Sequence, residues 1–362
     1  MTEKKRETLL ALRAALHACP EVSGHETRTR ALLMDFLREN TSLELHPCGA
    51  GFYAAHREAD ASHPAVALRA DYDALETPDG AAHLCGHDGN AAALCGVALA
   101  IEGQKLGRSV FLLFQPAEET GCGALPCCEL FDREQVGSLY GAHTLPGHPL
   151  GQVLTRPGTI ACASQGLVLR FIGRPAHAAY PEQGVSPAPA VGRLLCALPE
   201  LAAPQRYSAM ALCTVIGCRM GEKAFGAAAE RAELWLTLRA ERQEDLAALL
   251  DAVVGAAQEL AREYGLSFSR EDIDVFPETR NDDACAGRVL SLPGARPLAE
   301  PMRWSEDFGH LLRRCPGAYF LIGAGENCPA LHTAAYAYPD ALLRPTVETF
   351  LALLCEEGGR HE

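Results

Sequence analysis

The chain has 362 residues, 48% of them hydrophobic and 22% charged, and its formal net charge at pH 7 is −14. This length and composition are typical of a folded protein with two domains and exclude an intrinsically disordered chain. The acidic charge excludes nucleic acid and anionic membranes as expected partners. The sequence contains no apolar stretch long enough to span a bilayer, so no membrane segment is expected.

The basic start of the chain is followed by Leu9, Leu12 and Leu16 at helical spacing, with Arg13 between them. This pattern predicts an amphipathic helix and not an export signal. The sequence has fifteen cysteines, and in the absence of an export signal they indicate reduced thiols in a cytoplasmic protein. Because the C-x2-C pairs of a zinc finger are missing, a structural zinc site is not expected.

The first part of the chain alternates apolar segments with helical patterns. Ser23 and Glu26 match a capping box, which predicts a helix over 25–39. A further helix is predicted at 90–101, and strands at 51–56, 65–70, 109–115 and 137–143. The two middle strands are almost continuously apolar, as expected for strands buried on both faces. Strand, helix and strand in this order predict a mostly parallel α/β sheet.

The pattern changes in the second half of the chain. Strands are predicted at 165–173, 207–217, 232–241 and 266–275, and helices at 187–201 and 244–264. This βαββαβ order is the ferredoxin-like pattern. We therefore predict an inserted domain at 164–275 and an α/β domain formed by 1–163 and 276–362. The last segment adds a helix at 305–314, a strand at 318–323 and a helix at 345–357.

Polar side chains follow most of the predicted parallel strands. In open α/β sheets, ligands bind at the carboxyl ends of the strands, so these side chains are expected at one common edge. Taken singly, each is more typical of an ordinary loop or turn residue, but together they predict a metal site. The residues concerned are Asp71, Asp73, Cys85, His87, Asp88, Glu118, Glu119, His143 and His332.

The spacing of these residues suits metal chemistry. Cys85 and His87 are two positions apart, so in an extended loop both would face the same side. Thiolate and imidazole are ligands that zinc and similar ions prefer. Of the adjacent Glu118 and Glu119, one could bind a metal while the other acts as general base on a water molecule. The main alternative is a cysteine hydrolase with Cys85 as nucleophile and His87 as its base, which leaves the glutamate pair unused.

The chain resembles the amidohydrolase branch of the dinuclear-metal aminoacylase and carboxypeptidase family. The matching segments occur in the order typical of that family and extend over nearly the whole chain. They are LRAALHACPEVSGHE (12–26), LRADYDAL (68–75), HLCGHDGNAAALCGVA (83–98), FQPAEETGCGA (114–124), GAHTLPGHPLGQV (141–153), GRPAHAAYPEQGVSP (173–187), WSEDFGHLL (304–312), PGAYFLIGAG (316–325) and LHTAAYAYPDALL (331–343).

The resemblance implies a role for each matched position. Two divalent ions, with zinc first and manganese, cobalt or nickel as alternatives, would be bound by Cys85, His87, Glu119, His143 and His332. Cys85 would bridge the two ions. Glu118 would be the general base and acid, and Asp73 would support the site from behind. His177, in the inserted domain, would bind the substrate carboxylate or the oxyanion, reaching into the partner subunit of a homodimer formed through that domain.

The activity implied is hydrolysis of the amide bond of an N-acyl amino acid. Two alternatives stay open: a dipeptidase or carboxypeptidase-like activity on the same scaffold, and a metal-binding relative without catalysis. The sequence departs from the family pattern at Asn90, where histidine is common, and at Glu76, where proline is common. The segment AFGAAAERAEL (224–234) replaces the usual AFNVIPDRAEL. None of these departures falls on a predicted metal ligand.

Overall fold

The computed structural model describes residues 2–355, which fall into two compact units. Among the described residues, the first unit consists of 2–160, 279–301 and 306–355, and the second of 161–278 and 302–305. In chain order, the helices are α1 (Glu3–His17), α2 (Thr27–Asn40), α3 (His87–Ile101), α4 (Ala124–Cys127), α5 (Leu130–Arg133), α6 (Ala188–Leu201), α7 (Gln243–Glu263), α8 (Asp283–Leu290), α9 (Gly309–Leu312) and α10 (Leu343–Leu354).

The strands are numbered in the same way. They are β1 (Glu44–Cys48), β2 (Gly51–His56), β3 (Ala65–Asp71), β4 (Leu75–Thr77), β5 (Gly80–Ala82), β6 (Val110–Gln115), β7 (Val136–Leu145), β8 (Val153–Thr155), β9 (Gly158–Ala161), β10 (Ala163–Ile172), β11 (Ala211–Met220), β12 (Arg231–Ala240), β13 (Ser267–Phe276), β14 (Thr279–Asn281), β15 (Arg296–Pro297) and β16 (Gly317–Gly323).

The first unit is built on an eight-stranded sheet with the order β1-β2-β6-β3-β7-β16-β8-β15. The central strands β6, β3, β7 and β16 are parallel to one another, whereas β1, β2 and the β8–β16 pair add antiparallel contacts. Every residue of β6 and β16 is buried, as expected for parallel strands covered on both faces. The predicted parallel-rich α/β fold is thus confirmed.

Helix α3 lies at the centre of this unit, and almost all of its residues are buried. A helix that is apolar on all sides must be enclosed by other elements, and α3 is covered by α1 and α10. At Gly96 these neighbours come so close that an added Cβ would lie 2.6 Å from Val347 and 2.9 Å from Leu9. Among the described residues, no helix is both long and apolar enough to cross a membrane.

The second unit contains a four-stranded antiparallel sheet with the order β11-β12-β10-β13. Its elements follow one another as β10, α6, β11, β12, α7 and β13. The apolar sides of α6 and α7 pack against one face of the sheet and form a separate hydrophobic core. Strand β11 is left at one edge of this sheet.

Two local predictions are wrong. The helix expected at 305–314 shrinks to α9, because the carboxylates of Glu306 and Asp307 bind the buried Arg69 and fix the preceding segment as a turn. The capping box does not form at α2, where Glu26 makes no capping hydrogen bond. The carboxylate of Glu21 instead accepts the amide hydrogens of Arg28 and Thr29, both at 2.8 Å.

Replacement of Gly89 by alanine tests how tightly α3 is enclosed. A Cβ at this position would lie 2.1 Å from the ring of the buried Tyr338. Because overpacking of this kind costs typically 1–3 kcal/mol, we expect Gly89→Ala to lower the melting temperature of the first unit in calorimetry. Gly287→Ala in α8 is the control, since a Cβ there meets nothing within 4 Å and should stabilise the helix slightly. Equal melting temperatures for the two variants would contradict this packing.

Candidate metal centre

Six of the predicted site residues meet at the carboxyl ends of the parallel strands. Glu118 and Glu119 follow β6, His143 lies near the end of β7, and His332 is in the loop after β16. His87 is the first residue of α3, and Cys85 lies two positions before it. The seventh predicted residue, His177, belongs to the second unit.

The donor atoms form two triads that share the thiol of Cys85. One triad contains His87 and His143, the other Glu119 and His332, and the donor atoms within each lie no more than 4.8 Å apart. The Cys85 Sγ is 3.3 Å from Nε2 of His143 and 3.2 Å from Nε2 of His332. A shared sulfur between two sets of donors is the arrangement expected for a bridging ligand.

Hydrogen bonds behind the cluster orient its imidazole rings. Nδ1 of His87 is 3.0 Å from a carboxylate oxygen of Asp73, and Nδ1 of His143 is 2.9 Å from the carbonyl oxygen of Thr144. Both contacts require a proton on Nδ1, so the neutral form of each ring has its lone pair on Nε2, the atom on the side of the cluster. This is the tautomer that a metal-binding histidine needs.

The turn before α3 differs from the extended loop expected from the spacing of Cys85 and His87. Gly86 caps the helix with φ of 91°, in the left-handed region that favours glycine. An added Cβ there would lie 2.5 Å from the hydroxyl oxygen of Tyr336. The sharp turn, and not an extended strand, is what brings Cys85 and His87 to the same cluster. His332 also has a positive φ, of 62°.

Glu118 lies between the triads and a second group of acidic side chains. Its carboxylate is within 4.8 Å of those of Glu306 and Asp307, and all three residues are buried. Burial, reinforced by Glu306 and Glu119, raises the pKa of Glu118 well above its usual range. Burial likewise raises the pKa of Glu119 to about 7. Nearby cations would reverse both effects, because they favour the ionised carboxylate.

A fully buried arginine, which the sequence reasoning missed, holds this acidic group together. Arg69 donates to Asp71 at 2.6 Å, to Glu306 at 3.0 Å and to Asp307 at 3.1 Å. Its Nε donates to the side-chain oxygen of Gln115 at 2.8 Å. An arginine inside the apolar segment AVALRA was the available signal, since a buried guanidinium requires anionic partners.

The sequence also did not predict two hydrogen bonds that Ser23 and Glu26 make near the site. The hydroxyl of Ser23 donates to Oδ2 of Asp73 at 2.7 Å, and Oε1 of Glu26 accepts the amide hydrogen of Ala117 at 2.8 Å. Of the two residues assigned to a capping box, Ser23 thus binds the carboxylate that contacts His87, and Glu26 binds the residue before Glu118. The motif alone offered no sign of this, because both contacts join distant parts of the chain.

Two polar residues next to the predicted ligands, Asp88 and Asn90, bind side chains outside the donor triads. Asn90 donates to Oδ1 of Asp71 at 3.1 Å and is buried. Asp88 binds Nδ1 of His17 at 2.7 Å, which ties α3 to α1. Asn90 is thus a partner of Asp71, the carboxylate that Arg69 also binds.

The donor set fits two divalent cations. Nε2 of His87 and Oε1 of Glu119 are buried without a hydrogen-bond partner, which is costly unless a further group binds them. Thiolate, imidazole and carboxylate together are the donors of zinc and related transition-metal sites. The donor residues are therefore chemically suited to bind divalent transition-metal ions.

His177 is described within its own unit. Its Nδ1 accepts the amide hydrogen of Ala179 at 3.0 Å, and the residue is exposed. An accepting Nδ1 places the proton of the neutral ring on Nε2. The ring can therefore donate a hydrogen bond to an anionic group.

Comparisons with known proteins identify the family. The family model described as peptidase family M20/M25/M40 matches residues 67–356. An N-acetyl-L-cysteine deacetylase of Bacillus subtilis (strain 168) is 26% identical over 93% of this chain and 85% of its own length. An N-acetyldiaminopimelate deacetylase of Exiguobacterium sibiricum is 25% identical over 90% of this chain and 93% of its own.

A solved structure of similar fold is a dinuclear metal binding peptidase of the M20 family from Bacillus subtilis. It is 23% identical, has a TM-score of 0.81 and covers 98% of both chains. These findings confirm the family and the fold that the sequence motifs implied. Since the family model matches most of the chain, including the segments that bear the two donor triads, the protein belongs to peptidase family M20/M25/M40.

Proposed function

We propose that the protein hydrolyses the amide bond of N-acyl amino acids with the help of two divalent metal ions. The observation that carries this proposal is the pair of donor triads sharing Cys85, with the carboxylate of Glu118 beside them. The deacetylase names of the relatives support the substrate class. The cytoplasm is the proposed location, since fifteen free thiols suit a reducing compartment.

When bound, the two ions would polarise the amide carbonyl and make a water molecule more acidic. Glu118 would take the proton from the attacking water and later deliver it to the nitrogen of the leaving amine. Burial and the neighbouring carboxylates raise the pKa of Glu118 in the absence of metal, whereas the two ions would favour its ionised form, which can accept the proton. Cys85, His87, Glu119, His143 and His332 would hold the ions.

Zinc is the first choice of metal, because a thiolate with imidazoles and a carboxylate is a typical zinc donor set. Manganese, cobalt and nickel remain alternatives, since imidazole and carboxylate ligands also suit these ions. Asp73 would act through its neighbours: one oxygen orients His87, and the other accepts the amide hydrogen of Glu119 at 3.0 Å.

His177 would donate from Nε2 to the substrate carboxylate or to the oxyanion, from the partner subunit of a homodimer. The second unit supports dimerisation, because edge strand β11 exposes the apolar side chains of Leu212, Val215 and Ile216. An open edge with exposed apolar side chains is a template for pairing with another strand. The inserted domain predicted at 164–275 would thus serve for dimerisation, and we propose that it also acts as a lid.

Replacement of Glu118 by glutamine tests the general base. Glu118→Gln keeps the size of the side chain but cannot accept the proton, so kcat should fall by about 10²–10⁴-fold. Metal content, measured by elemental analysis, should stay at the wild-type value. Glu39→Gln on the exposed face of α2 is the control and should change neither quantity. Near-normal turnover of Glu118→Gln would show the proposed mechanism to be wrong.

Removal of metal separates this mechanism from a cysteine nucleophile. A chelator should abolish hydrolysis and added zinc should restore it, whereas a cysteine hydrolase would lose activity on thiol alkylation and keep it with the chelator.

A panel of N-acetyl, N-benzoyl and long-acyl amino acids against dipeptides with a free amine distinguishes the proposed substrates from dipeptidase activity. A protein that binds metal but cleaves none of them would be a non-catalytic relative.

Asp73→Asn tests the support behind the ligands. The amide group cannot accept from His87, Ser23 and Glu119 together, since one of its two positions is a donor. Loss of such a contact typically weakens metal affinity by about 10–100-fold, which a competition titration with a chelating dye would measure. Asp79→Asn on the exposed turn between β4 and β5 should keep wild-type affinity, and equal affinities for the two variants would argue against the orienting role.

Ile216→Asp tests the proposed dimer. A charge on the exposed face of β11 should convert the protein to a monomer in light scattering. If His177 acts in the partner's site, kcat should also fall, by about 10²-fold for loss of one oxyanion donor. Leu125→Asp, at an equally exposed position in the first unit, should leave mass and turnover unchanged. An active monomer would contradict the role of His177 across the dimer.

A further inference from the structure

The residue before the general base has an unusual backbone conformation. Ala117 has φ of 51°, in the left-handed region, although it is not glycine. Such a conformation is strained for a residue with a Cβ and persists only where the surrounding structure enforces it. Ala117 directly precedes Glu118. A change of the Ala117 backbone to an unstrained conformation would therefore redirect the side chain of Glu118, the proposed general base.

A buried carboxylate from a distant position in the sequence binds the amide of Ala117. Oε1 of Glu26 accepts the amide hydrogen of Ala117 at 2.8 Å and that of Gly24 at 2.9 Å. Glu26 is only 6% exposed and lies 91 positions before Ala117 in the chain. Hydrogen bonds to an ionised acceptor are stronger than neutral ones, particularly away from water.

The rest of the loop leaves little room for an alternative path. The amide of Cys122 donates to the carbonyl oxygen of Ala117 at 3.2 Å. At Gly123, an added Cβ would lie 1.7 Å from the carbonyl oxygen of Pro116. On the other side of Glu118, the amide of Glu119 is fixed by Asp73. Glu118 is thus flanked by two amides, each of which donates to a buried carboxylate.

We propose that Glu26 is a positioning residue of the hydrolytic reaction: it holds Ala117 in its strained conformation and thereby aims the carboxylate of Glu118. The proposal rests on the proposed function, in which Glu118 transfers the proton. The hydrogen bonds of Glu26 go to the amides of Gly24 and Ala117 and not to a residue of the donor triads. Misplacement of a reacting group by about 1 Å can cost about 10²-fold in rate, which sets the expected effect.

The kinetic test compares two variants of Glu26 with a matched control. Glu26→Ala removes the acceptor and should lower kcat about 10²-fold, with KM and bound metal unchanged. Glu26→Gln keeps an acceptor oxygen and should restore most of kcat. Glu21→Ala removes a carboxylate that caps the same helix, α2, without contacting Ala117, and should lower stability but not kcat. Normal kcat for Glu26→Ala, or loss of bound metal in that variant, would overturn the proposal.

Hydrogen exchange provides a readout that does not depend on activity. Mass spectrometry of the peptide over 114–122 should show faster exchange in Glu26→Ala, and wild-type exchange in Glu26→Gln and Glu21→Ala. Unchanged exchange in Glu26→Ala would overturn the role of Glu26 even if its kcat falls. If the wild-type protein cleaves no N-acyl amino acid, the proposed function fails, while the exchange result still decides whether Glu26 holds Ala117.

Discussion

The buried guanidinium of Arg69 is the interaction on which the centre of the first unit depends. It lies in β3, is fully buried, and binds Asp71 on its own strand, Gln115 at the end of β6, and Glu306 and Asp307 before α9. Loss of one partner from a buried ion pair typically costs about 3–5 kcal/mol, because the other charge is left unpaired. The arginine therefore fixes the strand ends and turns from which the donor cluster projects.

Arg69 cannot by itself balance the acidic groups around it. The carboxyl groups buried or nearly buried at this edge of the sheet include those of Asp71, Asp73, Glu118, Glu119, Glu306 and Asp307. Burial, reinforced by neighbouring carboxylates, raises the pKa of Glu118 well above its usual range, and burial raises the pKa of Asp307 to about 8. Two divalent ions at the shared thiol of Cys85 would balance the negative charge of these carboxylates. The carboxylates that repel one another without metal would then help to hold the ions in place. The electrostatics of the fold and the proposed chemistry are therefore linked.

The sequence predicted the features that depend on local pattern and on the order of elements. Apolar runs located β2, β3, β6, β7 and β16, and the rule that ligands gather at the ends of parallel strands placed the donor residues at one edge. Contacts between distant segments were not predictable, because no local pattern encodes them. Glu26 and Ser23 resembled a helix cap but bind Ala117 and Asp73, and Glu306 and Asp307 resembled a helix but bind Arg69.

The central claim is that two metal ions share the thiolate of Cys85. Anomalous diffraction from crystals of the metal-loaded protein, collected at the absorption edge of the bound metal, tests it most directly. The account predicts two peaks on either side of the Cys85 sulfur, one beside His87 and His143 and the other beside Glu119 and His332. A single peak, or two peaks that leave Cys85 without a metal neighbour, would contradict it.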